Sequence, residues 1–279
     1  MVLLLIVLAS YTLAKADRVR IKLSETHVKQ GQTFEVRVWV DDPLLPETCR
    51  PTSIRFNGQT ARLFPDPSDA SGNSWRALLA APADLKPGIY SVSSAGAAEE
   101  MTVASVRFPV QHLRLPKSKD SFIPSPGERE AIDRAKESLS AVRLWQGPFL
   151  RPCEGRLSAS FGMRRVVNGR LLNDYFHTGV DYAASQGTRV MAPAPGRVVL
   201  ARTGWRLNGN TVVIDHGQSV VTIYIHLQKV LVQEGQEVKG GDVIGAVGNT
   251  GRCSGPHLHF GLYVNNVATD PEAWFKGSF

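Results

Sequence analysis

A chain of 279 residues, 43% hydrophobic and 20% charged, is long enough for two domains and apolar enough to bury a core in each, which excludes a disordered or low-complexity protein. Its formal net charge of +7 favours an anionic partner: nucleic acid, a membrane surface or cell-wall polymers. Three cysteines, Cys49, Cys153 and Cys253, are too few for a disulfide scaffold, and with no C-x-x-C pair a cysteine-based zinc or redox motif is unsupported.

Residues 1–16 read as a signal peptide. The apolar run at 2–8 is too short for a bilayer span of ~20 residues. It leads to Ala14-Lys15-Ala16, a small-x-small cleavage pattern, with Asp17-Arg18 beyond. No Lys or Arg precedes the run, the one departure from the pattern, and no Cys follows it to carry a lipid. The expected location is therefore secreted or periplasmic, in the cell envelope, with no integral membrane segment in the mature chain. Nucleic acid drops out as a partner and anionic cell-wall polymers remain.

Residues 17–110 alternate in short runs. Val19, Ile21 and Leu23 share one face, as do Phe34, Val36, Val38 and Val40. Further strands are expected at 52–56, 74–80, 88–93 and 100–108, punctuated by Pro and Gly, which suggests an immunoglobulin-like β-sandwich. Its one histidine, His27, is isolated, so a spacer or binding module is expected. Residues 111–145 read as a connector with a loop at 116–119. Ser125-Pro126-Gly127-Glu128 then opens a helix to about Leu144, with Ile132, Ala135, Leu139 and Val142 near helical spacing. Glu128 and Glu130 in the first turn suit the helix dipole.

From 146 to 279 the pattern is strands and glycine turns. Two stretches, 187–199 and 232–245, resemble each other and suggest a compact, strongly bent sheet. Five of the seven histidines fall between 177 and 259. His257-Leu258-His259 puts two imidazoles on one strand face with Leu258 and Phe260 on the other. His177 and Asp181 share a face if extended, and Tyr224 and His226 share another. Two imidazoles and a carboxylate suit zinc with an open fourth position, the catalytic rather than the closed structural pattern. Taken singly, each piece has a plainer reading as a surface or core histidine, and His216 at a turn reads as structural; the combination carries the case.

The segment from about Phe149 to Trp274 resembles the lysostaphin-type, LytM-like zinc metallopeptidases. The resemblance rests on Ser160-Phe161-Gly162-Met163-Arg164, His177-Thr178-Gly179-Val180-Asp181, Tyr224-Ile225-His226-Leu227, the glycine-rich 245–251 stretch and Gly255-Pro256-His257-Leu258-His259-Phe260. It implies a mainly antiparallel β-domain that hydrolyses peptide stems or cross-links of peptidoglycan, a metalloprotease of the cell wall. It further implies His177, Asp181 and His259 as zinc ligands and His226 and His257 as catalytic residues. With no H-E-x-x-H glutamate, a histidine must move the proton. His257 is expected as general base and His226 as oxyanion stabiliser or acid to the leaving amine, with Tyr224 lining the groove as a substrate contact. Two alternatives stand beside this. One is a catalytically inactive LytM-like activator of other wall hydrolases, which the five intact residues argue against. The other is a biotinyl- or lipoyl-type carrier, for which Lys239 beside Gly240-Gly241 is the only candidate lysine. A Cys153–Cys253 disulfide is a further expectation, weighed against two buried thiols.

Overall fold

The computed structural model describes residues 18–41, 50–119, 121–137, 140–173, 175–277 and 279. Residues 1–16, read from the sequence as a signal peptide, and Cys49 and Leu139 lie outside the described residues. The chain is mainly β and forms two compact units, one reaching Ala81 and including Leu85–Ser105, the other comprising Pro82–Asp84 and Val106–Phe279. Among the described residues no helix is long and apolar enough to cross a membrane.

The first unit holds β1 (Val19–Leu23), β2 (His27–Lys29), β3 (Thr33–Val40), β4 (Ser53–Phe56), β5 (Gln59–Arg62), β6 (Phe64–Pro65), β7 (Ser74–Ala80), β8 (Gly88–Ser94) and β9 (Ala97–Ala104). They make two sheets, in order β1-β3-β7-β6 and β2-β9-β8-β4-β5. The alternation seen in the sequence is the reason: Val36 and Val38 of one sheet and Ile54, Phe56, Val92 and Met101 of the other are buried in one core. Phe34 meets Phe56 edge-on across it, ring centroids 5.2 Å apart.

The second unit contains β10 (Val110–Leu113), β11 (Arg156–Ala159), β12 (Arg164–Val167), β13 (Arg170–Leu171), β14 (Val180–Ala183), β15 (Arg189–Met191), β16 (Gly196–Trp205), β17 (Gly209–Gly217), β18 (Val220–Leu227), β19 (Lys229–Val230), β20 (Glu237–Val238), β21 (Val243–Ala246), β22 (His257–Val264) and β23 (Val267–Thr269). The principal sheet runs β11-β14-β22-β18-β17-β16-β20, every pair antiparallel, with β23 added to β22. The two similar glycine-turned stretches pair with each other: β15 with β21, and the start of β16 with β20. One face buries Val180, Tyr182, Val212, Ile214, Leu258 and Phe260 in the main core.

The segment read as a connector is built into this second unit. β10 pairs in parallel with β12. Helix α1 (Glu128–Lys136) sets Ala135 into a second core with Leu200, Val213, Val221 and Ile223, and Ala131 and Ile132 pack against it. The helix is shorter than expected. Residues 140–144 instead hydrogen-bond to the β17–β18 turn, Gln218 N–H to the Ser140 carbonyl and Leu144 N–H to the His216 carbonyl, which leaves Val142 exposed. A last helix, α2 (Glu272–Phe275), buries Trp274 against Trp145 and Phe149.

Candidate active site

The donor set is assembled by register. In the β14–β22 pair, Asp181 lies opposite His259 and Ala183 opposite His257, so both imidazoles and the carboxylate rise from one face. His177 reaches them from the loop before β14. That loop is pressed on β22 at Gly179, where a Cβ would come within 2.2 Å of the Phe260 carbonyl oxygen. Only glycine permits this approach. His177 Nε2 is 2.9 Å from Asp181 Oδ1 and 2.9 Å from His259 Nδ1, and His259 Nδ1 is 2.8 Å from Asp181 Oδ1. These residues form a group able to hold a metal ion, all three buried.

The hydrogen bonds around the set show which atoms are lone pairs. His177 Nδ1 is 2.9 Å from the Ser160 carbonyl, which can only accept, so Nδ1 carries the proton and Nε2 presents a lone pair. That lone pair faces a carboxylate oxygen and a second imidazole nitrogen, an electron-rich triangle that a cation satisfies. The other carboxylate oxygen, Asp181 Oδ2, accepts from the Arg165 guanidinium at 2.8 Å. Burial acts to raise the Asp181 carboxyl, but in the protonated form of the rings the charge and hydrogen bond of His177, and those of His259, outweigh it and hold the carboxyl well below 3.8; in the neutral rings the same atoms present the lone pairs described above. Burial pushes His259 down to about 4, against the opposing pull of Asp181, leaving it neutral and available as a ligand.

His257 and His226 stand beside the set, ring centroids 4.9 Å apart. His257 Nδ1 donates to the Gly255 carbonyl at 2.8 Å, and its Nε2 lies 4.0 Å from Asp181 Oδ1. His226 Nδ1 donates to the Thr250 carbonyl at 2.9 Å. Burial, followed by the charges of His257 and His259, pushes His226 well below 6.5. Both side chains line a cleft of about 370 Å³ whose wall includes Gln111, Leu113, Phe122, Tyr175, Asn208 and Arg252.

Tyr224 departs from the expectation. It is fully buried, pairs with Phe260 on the core face and hydrogen-bonds Thr222 Oγ1 at 2.9 Å. Tyr224 and His226 do not share a face because a bulge intervenes. Val212 pairs with Tyr224 but Asn210 with Leu227, so Ile225 and His226 oppose the single residue Thr211. His226 takes a φ of +65°, and this brings its ring to the cleft side next to Ile225. His216, read as structural, is fully buried between the Pro195 carbonyl and Thr222 Oγ1, both 2.8 Å away, and burial lowers it to about 4. Cys153 and Cys253 are both buried and are not bridged, contrary to the disulfide expectation. The Cys253 thiol donates to Asn249 Oδ1 at 2.8 Å instead. Arg165 was missed by sequence reading; nothing in the run Arg164-Arg165 marks which arginine turns toward Asp181.

Lone pairs converging on one point, with two oriented imidazoles beside them in an open cleft, define a metallopeptidase-type centre. Residues 175–271 match the model of Peptidase family M23, and the chain carries an M23, LytM-like peptidase domain. Among curated proteins it is 42% identical over 118 residues to the peptidoglycan DD-endopeptidase ShyC of Vibrio cholerae, covering 42% of this chain and 26% of that protein. It is 44% identical over 117 residues to the DD-carboxypeptidase/endopeptidase Mpg of Neisseria meningitidis, again 42% and 26%. The match thus spans about a quarter of each relative. A crystal structure from Pseudomonas aeruginosa assigned to the M23 peptidases superposes with a TM-score of 0.61 at 27% identity, covering 90% of this chain and 95% of that one.

Proposed function

We propose that this chain is a zinc-dependent endopeptidase of the cell envelope that hydrolyses peptide bonds in peptidoglycan stems or cross-links. The observation that carries this is the convergence of His177 Nε2, Asp181 Oδ1 and His259 Nδ1, with His226 and His257 alongside. Two nitrogens and one carboxylate oxygen fit zinc with a coordination position left for water or substrate. Bound zinc supplies Lewis-acid polarisation of the scissile carbonyl and acidifies water.

The protein's own groups supply orientation and proton transfer. Arg165 engages Oδ2 of Asp181, which would leave Oδ1 as the oxygen to hold the metal. His257, its Nδ1 proton committed to the Gly255 carbonyl, offers Nε2 as general base close to the donor set. His226 is neutral at pH 7 with its Nδ1 proton committed to Thr250. It returns a proton to the leaving amine only after taking one at Nε2. The inactive-activator reading loses support because all five side chains are assembled. Lys239, the carrier candidate, lies in a turn closed by its own backbone bonds to Asp242. Every donor and proton carrier follows residue 176, so the N-terminal unit is read as contributing targeting or access rather than chemistry.

The test is digestion of purified peptidoglycan by the metal-loaded chain, with fragments identified by mass. The similarity to a DD-endopeptidase and a DD-carboxypeptidase/endopeptidase makes the D–D cross-link the first bond to examine. About one zinc per chain and loss of hydrolysis on chelation are expected. Full hydrolysis after verified metal removal, or none by the loaded chain, overturns the proposal.

A further inference from the structure

Among the described residues, Glu128 is a fully buried carboxylate outside both the donor set and the family-matched segment. It opens α1 and is 0% exposed. Its Oε1 accepts the backbone N–H of Asn208 at 2.7 Å, and Oε2 accepts those of Ser125 at 2.7 Å and Leu207 at 3.4 Å. The Ser125 hydroxyl accepts the N–H of Arg206 at 2.9 Å. Three consecutive N–H groups at the β16–β17 hairpin tip therefore end on the Ser125–Glu128 pair, an arrangement that suits an anion.

That tip holds His226 in place. The Asn208 carbonyl accepts the His226 N–H at 2.9 Å, at the residue whose φ is +65°. The Leu207 carbonyl accepts the Arg252 N–H at 2.9 Å, and Asn210 N–H donates to Thr250 Oγ1 at 3.0 Å. The strand following the tip thus also anchors Thr250, whose carbonyl orients the His226 ring. A left-handed conformation at a non-glycine residue persists only where its surroundings over-determine it. Here the backbone N–H of His226 and its ring Nδ1–H both end on segments tied to the tip, and two of the tip's own N–H groups, those of Leu207 and Asn208, end on Glu128.

We infer that Glu128 is a positioning residue for His226, acting through Asn208 and Thr250 without touching a reacting atom. The inference rests on the reading of His226 as a proton carrier. It makes the segment ahead of the family match part of the working site.

The test compares the full-length, metal-loaded chain with its Glu128→Ala and Glu128→Gln variants, with Glu130→Ala, on the exposed side of the same helical turn, as control. Two readouts are taken: the nuclear magnetic resonance signal of the His226 Nδ1–H, assigned by its loss in His226→Ala, and kcat and KM on a cross-linked stem peptide. Glu128→Ala is expected to lose or shift the His226 signal and to lower kcat at least about tenfold, with metal content unchanged and KM within about threefold. Glu128→Gln keeps an acceptor for Asn208 only, so a shifted signal and a kcat loss of about threefold are expected. Glu130→Ala changes neither readout. A folded Glu128→Ala with an unchanged His226 signal and kcat overturns the inference; if that variant fails to fold, the same result in Glu128→Gln does so. If the wild type cleaves no peptide, the proposed function fails, and the His226 signal still decides the role of Glu128.

Discussion

Arg165 and Asp181 are joined at 2.8 Å through Oδ2, and the same carboxylate offers Oδ1 to His177 and His259. The two oxygens are thereby divided between the Arg165 guanidinium and the place of the proposed metal ion. Removing the guanidinium frees the carboxylate to rotate. Arg165→Ala is expected to weaken metal binding about 10–100-fold, as loss of an outer-shell partner does. Chelator competition measures this, and excess metal should restore most of the activity. Wild-type metal affinity in a folded Arg165→Ala chain would show that the ion pair plays no part in the metal centre.

His226 stands outside the donor triangle, so His226→Ala should retain its metal. Its activity should fall about 10²–10⁴-fold, the range for loss of an acid–base group. Metal analysis beside a kinetic assay separates the two effects. Metal lost from a folded variant would reassign His226 as a ligand.

Tyr224 is a core residue here, so Tyr224→Phe should leave KM unchanged. The lost hydroxyl ends the chain running from Pro195 through His216 and Thr222, and stability should drop by about 1–2 kcal/mol. Urea unfolding and steady-state kinetics on one preparation test both statements. A several-fold rise in KM at unchanged stability would put the side chain in the groove after all.

His216 predicts a pH dependence. Burial lowers its folded pKa to about 4, against about 6.5 when unfolded. Between these values the unfolded chain binds more protons than the folded one, so stability falls as pH drops. The contribution is fully present above about pH 6.5, is lost by about pH 4, and is on the order of 3 kcal/mol. Unfolding free energies at several pH values should therefore show a shallower slope for His216→Gln than for the wild type. Equal slopes would mean that His216 does not titrate with folding.

Much of the site was legible in the sequence because strand geometry is periodic. His257 and His259, two apart, had to share a face, and Leu258 and Phe260 had to enter the core. The alternation in 33–40 marked β3 for the same reason. Tyr224 was misplaced by the same rule, because parity holds only while a strand stays regular. A one-residue bulge and a positive φ at His226 depend on how β17 pairs with β18, which spacing along one strand does not contain.

What the sequence by itself determined is the identity and strand parity of the donor residues. Their imidazole and carboxylate chemistry and their spacing survive any detail of packing. Only the tertiary structure decided that Arg165 turns toward Asp181, that Glu128 leaves its own helix to cap a hairpin tip, and that Cys153 and Cys253 are not bridged. Asp181 lies 16 residues from Arg165, and Asn208 lies 80 from Glu128. No local pattern encodes such contacts. They form because burying a carboxylate requires hydrogen-bond donors, and the fold decides which donors arrive.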